Sequence, residues 1–181
     1  MTREQIAALL QTNHAQFIHQ LQQLNEVDFT YAAEGKWSAA QQLDHIVKSV
    51  SPVNMALGLP KFILQWKFGS ANRGSKTYEG LVEKYNHKLL EGGKASGRFV
   101  PATVTAAEKE KLLSRLNKVV SGLCYKTGNQ SEEALDKYIL PHPLLGKLTL
   151  REMLYFTAYH VEHHRHLVEK GLMTIEQGNK E

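Results

Sequence analysis

Four of the nine histidines lie within seven residues of one another, in the stretch YHVEHHRHL from Tyr159 to Leu167. On a helical wheel of about 100° per residue centred on His160, the side chains of Met153, Phe156, Thr157, His164 and Leu167 fall within roughly 60°. His160 and His164 therefore aim into an apolar face one turn apart. Glu162, Arg165 and His166 point toward water, and His163 lies on the boundary. A neutral imidazole facing the core still carries one donor and one acceptor to satisfy. Two readings stay open on spacing alone. The pair can be core histidines bonded to their neighbours, or two ligands of a divalent metal, because His at i and i+4 project toward one point.

A metal needs a third ligand from another segment, and His45, in QQLDHIVKS, is the candidate. On its own wheel it sits at the edge of the apolar arc, about 100° from the centre, which suits a ligand at the rim of a bundle or a half-exposed histidine. His14, His87 and His142 are expected to be structural or solvated. The zinc-protease pattern HExxH is absent, and Glu162 faces away from His160. No catalytic side chain is assigned. Asp44 adjoins His45 but points about 100° away from it, and Glu26, Asp28, Tyr78 and Tyr85 reach the site only if the fold carries them there.

These residues are positioned by helices whose starts share one pattern, a Ser or Thr followed three residues later by Glu or Gln. Thr2 with Gln5, Ser38 with Gln41, Thr105 with Glu108, and Thr149 with Glu152 each open a periodic apolar segment, the signature of a capping box. The first segment carries Ile6, Leu10, Phe17, Leu21 and Leu24 on one stripe and ends near Asn25 to Asp28. The second runs from Ser38 to about Leu57, with Pro52 expected to kink it or end it early. The third runs from Thr105 to about Lys126. The fourth runs from Thr149 to about Lys170 and is expected to stop at Gly171, with Leu148 and Met153 placed as a hydrophobic staple.

Between the second and third helices, residues 58–104 are too many for a structureless link. Tyr78, Leu81, Val82, Tyr85 and Leu89 recur at helical spacing ahead of Gly92 and Gly93, so a short extra helix is expected inside a long crossover. No segment reads as a strand. Lys61, Lys67, Arg73 and Lys76, interleaved with Trp66 and Phe68, are expected to form a solvated insertion packed through its aromatics. The fold class is all-α, a four-helix bundle with this crossover. A single domain over 1–181 is expected, with a short tail over 171–181.

Composition narrows the function classes. The net charge of +4, from 22 basic and 18 acidic residues, is scattered along the chain, a poor nucleic-acid signature. Cys124 is the single cysteine, which removes internal disulfides and paired-cysteine metal sites and leaves it as a core residue. The N-terminus lacks signal-peptide character and no apolar run is long enough for a membrane span, so a cytoplasmic protein without a membrane partner is expected.

The segments KWSAAQQLDHIVKS and HPLLGKLTLREMLYFTAYHVEHHRHL resemble the DinB/YfiT-like superfamily. The first has a tryptophan and serine before a helix with one histidine; the second has a loop, a helix start and histidines four apart. The resemblance implies a DinB-like four-helix bundle, often a homodimer, with a divalent metal held by His45, His160 and His164. His166 stands where many relatives carry a small residue, which leaves those three intact. The resemblance further implies either a thiol-dependent S-transferase that draws on a low-molecular-weight thiol, the favoured expectation, or a metal-dependent hydrolase. Two rival classes remain: a non-catalytic metal- or ligand-binding bundle, and a nucleic-acid binder that would use the basic stretch from Lys61 to Lys76. Zinc or nickel is the expected ion, although imidazole suits copper and iron as well.

Overall fold

The structure, a computed structural model, describes residues 1–178, and side chains as far as Thr174. The four capped segments form long helices: α1 (Arg3–Gln22), α3 (Ala39–Leu57), α6 (Lys109–Gly128) and α8 (Leu150–Gly178). Between them lie the short helices α2 (Glu26–Thr30), α4 (Lys61–Phe68), α5 (Tyr78–Leu90) and α7 (Glu132–Lys137). A two-stranded antiparallel hairpin, β1 (Ile139–His142) and β2 (Gly146–Thr149), precedes α8. That hairpin corrects the expectation of no strands: Ile139, Leu140 and Leu148 are buried while the exposed Lys147 faces out, a half-buried pattern too short to read in sequence.

All four boxes form. Thr2 and Gln5 exchange bonds of 2.8 and 3.4 Å, and Ser38 and Gln41 bonds of 3.0 and 3.2 Å. Glu108 accepts from the backbone N–H and hydroxyl of Thr105 at 3.0 and 2.9 Å. Thr149 and Glu152 are linked at 2.9 and 3.1 Å. The boxes at Thr2, Ser38 and Thr149 satisfy first-turn N–H groups that have no partner inside the helix, while at Thr105 the bonded N–H is the cap residue's own.

The bundle closes as a ring in which α1 and α3 each pack against both α6 and α8. Ile6, Leu10, Phe17 and Leu21 from α1, Leu43, Ile46 and Val50 from α3, and Leu113, Leu116, Val120 and Leu123 from α6 line its interior. Leu154, Ala158 and Val161 complete it from α8. Pro52 neither ends nor shortens α3, which runs on to Leu57. The missing rung is outweighed because Val53, Ala56 and Leu57 beyond it are buried. Likewise α8 does not stop at Gly171 but continues to Gly178; the remainder of the expected tail lies outside the described residues.

Residues 58–104 contain the expected helix, α5, with Leu81 and Tyr85 inward, and also α4, which the sequence reading missed. That helix buries only Leu64, while Phe62 and Trp66 are 72% and 86% exposed, so its apolar residues show no inward stripe. The expected packing through aromatics therefore holds only for the partly buried Phe68. The segment is pinned to α8 by Glu152. This carboxylate has no exposed surface and takes both guanidinium nitrogens of Arg73 at 2.6 and 2.9 Å and the Lys76 N–H at 2.8 Å. No helix among the described residues is long and apolar enough to cross a membrane.

Candidate metal centre

His45 on α3 and His160 and His164 on α8 meet where these two helices pack together. Each is at most 6% exposed. The Nε2 atoms of His45 and His160 lie 3.2 Å apart, and those of His160 and His164 lie 3.0 Å apart. Met153, Phe156 and Thr157 share the buried face as the wheel predicted, whereas Leu167, placed there too, is 36% exposed and lines the cavity mouth.

His45 is more enclosed than an edge position allows. The turn Gly97–Phe99 folds over it, and its Nδ1 donates to the Phe99 carbonyl at 2.6 Å. A backbone carbonyl only accepts, so the bond leaves the His45 Nε2 as a bare lone pair. His164 repeats the arrangement by donating from Nδ1 to the side-chain carbonyl of Gln42. Gln42 and Phe99 are the two positioning groups that sequence reasoning missed. Gln42 could have been found, since it precedes His45 by nearly one turn on the same helix.

With both outer rings so oriented, three Nε2 atoms crowd together. His160 could donate a proton to one neighbour only, leaving the other lone pair facing it. All three donor atoms lie within 4.8 Å of one another. Imidazole nitrogens at about 2.0–2.1 Å from a tetrahedral ion sit about 3.3–3.4 Å apart, close to the spacing of the two observed pairs. The donor set therefore fits a divalent metal. Burial is the leading cause that holds His160 and His164 well below the ordinary imidazole range, and it lowers His45 as well. All three are thus neutral near pH 7, the form that ligates.

The cluster forms part of the wall of an open cavity of about 1180 Å³. Trp37, Tyr85, Leu140, Met153, Phe156 and Val168 supply much of its lining, and Asp28 is its only acidic residue among those described. Tyr85 is buried, and burial raises its phenol above the usual range so that it keeps its proton. Of the other groups weighed in the sequence, Asp44 turns away to bond the Ala102 N–H at 2.9 Å and Lys48 at 2.6 Å. Glu162 is held by Arg165 at 2.6 Å. Tyr78 packs edge-on against Tyr155. Cys124 is half-buried against the Ala7 carbonyl, with its thiol pushed up to about 11, first by burial.

His14 is wholly buried, donating from Nδ1 to Leu10 O at 2.7 Å. His163 lines the cavity beside Tyr85, and His166 is exposed. His142, expected to be structural or solvated, also lines the cavity, from the end of β1.

A bundle of four helices with three converging histidines beside an open cavity defines a protein equipped to bind a metal. The chain matches the family model described as the DinB superfamily over residues 9–168, and it belongs to that superfamily. No curated protein and no solved structure matches it at a significant level.

Proposed function

We propose that this DinB-superfamily protein holds a divalent ion, zinc or nickel, on His45, His160 and His164 and transfers a low-molecular-weight thiol to an electrophile bound in the cavity. The supporting observation is the convergence of three neutral imidazoles beside a roomy, largely apolar cavity with one acidic lining residue. Three neutral ligands leave the full charge of the ion uncompensated, and such an ion would hold a bound thiol as thiolate or lower the pKa of water. The protein's own residues would orient and desolvate. Gln42 and the Phe99 carbonyl fix the rings. The apolar walls exclude water from the thiol, and Tyr85 presents a neutral hydroxyl.

A thiol co-substrate is favoured over water because a metal-bound thiol loses its proton without a side-chain base. Cys124 is not among the cavity-lining residues, so the sulfur would come from outside. The proposal includes a small-molecule substrate and a homodimer in the cytoplasm, without a nucleic-acid or membrane partner; sedimentation tests the dimer.

Thiol consumption in the presence of a panel of electrophiles, with zinc- or nickel-loaded protein, tests the activity. Turnover by the wild type and none by His160→Ala is the expected result. Ester hydrolysis without thiol would reassign the centre to water. Metal binding with neither activity would leave a binding bundle.

A further inference from the structure

His142 ends β1 and faces the cavity from the hairpin. Its Nδ1 is 3.1 Å from the Leu144 N–H and 3.0 Å from the Leu145 N–H. Backbone N–H groups only donate, so Nδ1 accepts both, and in a neutral ring the proton must then sit on Nε2. That Nε2–H makes no hydrogen bond among the described residues, nor is it one of the buried polar atoms left without a partner. It is an open donor in a largely apolar cavity.

The turn that sets this tautomer is itself braced. Lys84 on α5 donates to the Leu145 carbonyl at 2.7 Å. Gly146 closes the turn with φ of 77°, a conformation that glycine adopts without strain. Gly93 leaves room for the Leu144 side chain, since a Cβ there would come within 2.7 Å of it. The ring packs edge-on against Phe156 with centroids 4.2 Å apart, and Phe156 in turn stacks on His160 at 4.7 Å. His142 is thus separated from the metal-ligating cluster by one aromatic ring. Burial and the Lys84 charge push its imidazole down to about 4, so it stays neutral at physiological pH.

We propose that His142 is a substrate-positioning residue whose Nε2–H binds a carbonyl or carboxylate oxygen of a ligand whose apolar body fills the cavity. The proposal rests on the reading that this cavity takes the substrate, and it does not require the metal. The imidazole keeps its proton, serving as a neutral donor aimed at ligand oxygen, while the walls formed by Phe156, Met153 and Leu140 take the apolar part. A neutral donor suits either oxygen, and it binds a charged acceptor more strongly than a neutral one.

Three probes of similar shape that share a phenethyl body test this: 4-phenyl-2-butanone, 3-phenylpropionate and butylbenzene. With ¹⁵N-labelled histidine, the free protein is expected to show His142 as the Nε2–H tautomer, and the ketone or the carboxylate to move that signal while butylbenzene leaves it in place. His142→Phe is expected to weaken the oxygen-bearing probe roughly three- to tenfold, with butylbenzene affinity unchanged. His142→Asn retains an acceptor for the turn and should show the same loss with the hairpin intact. The probe that moves the signal identifies the oxygen class.

An Nδ1–H tautomer, failure of both oxygen-bearing probes to bind, or unchanged affinity in both variants would overturn the proposal. Each measurement is made with zinc and after chelation. Oxygen selectivity that vanishes with the zinc and survives His142→Asn also overturns it, by placing the oxygen on the metal. Selectivity that persists without zinc supports it, even if zinc titration shows no binding and the metal reading fails.

Discussion

The Nε2 atoms of His45 and His160 lie 3.2 Å apart across the α3–α8 interface, although 115 positions separate them in the chain. Because His45 Nδ1 donates to the Phe99 carbonyl, this approach sets a bare lone pair against a second ring nitrogen. A cation relieves that repulsion, and the predicted stoichiometry is about one divalent ion per chain. Elemental analysis of protein purified without chelator checks it; His45→Ala and His164→Ala should each lose the ion, and full retention in either removes the three-histidine assignment.

Gln42 orients His164 through its side-chain carbonyl. Gln42→Leu keeps the approximate volume and the helix but removes the acceptor, so His164 can rotate or carry its proton on Nε2. Metal affinity should fall roughly 10- to 100-fold, the usual cost of losing an outer partner of a ligating histidine. Competition with a chromophoric chelator measures it, and an unchanged affinity would show that Gln42 does not orient the ligand.

Glu152 joins the start of α8 to residues 73–76 of the crossover. Glu152→Ala orphans the buried Thr149 N–H and releases Arg73. Arg73 is partly exposed and can return to water, so the expected cost is about 2–3 kcal/mol rather than that of a fully buried ion pair. Urea unfolding gives the value, and amide exchange should rise over residues 70–77.

Acid stability depends on His14, which burial pushes down to about 4 from an ordinary 6.5. In the unfolded chain it protonates near 6.5, so between pH 6.5 and 4 the unfolded state binds more protons and stability falls as pH falls. The stabilisation is complete above pH 6.5, and its loss is on the order of 3 kcal/mol by pH 4. His14→Leu also removes a buried Nε2 that has no partner. Its stability at pH 7 should change by less than about 1 kcal/mol, with a shallower acid slope in denaturation series at pH 7, 6, 5 and 4. An identical slope would exclude His14 as a source of the acid sensitivity.

Much of the molecule was legible in residue order. The capping boxes marked the four long helices because capping is local, a bond between residues three apart. The wheel separated His160 and His164 from His166 because helical periodicity is local too. His45 stood as the candidate companion from its own helix, and the resemblance to the DinB superfamily matched it to the pair. Local rules failed where neighbours distant in sequence intervene. The wheel puts His45 at the edge of the apolar arc, yet the turn at Gly97–Phe99 covers it. Proline chemistry alone predicts that Pro52 kinks α3 or ends it early, yet buried contacts carry the helix on to Leu57.

The sequence by itself therefore determined the four long helices and α5, and which face of α8 is inward. Only the tertiary structure decided that α3 and α8 are neighbours, bringing three Nε2 atoms together and fixing the His45 and His164 tautomers through Phe99 and Gln42. It also decided that His142, undistinguished between two prolines in sequence, lines the cavity with its Nδ1 held by two backbone N–H groups. Tautomer and direction depend on hydrogen bonds, and at His45 and His164 those bonds come from groups far away in the chain.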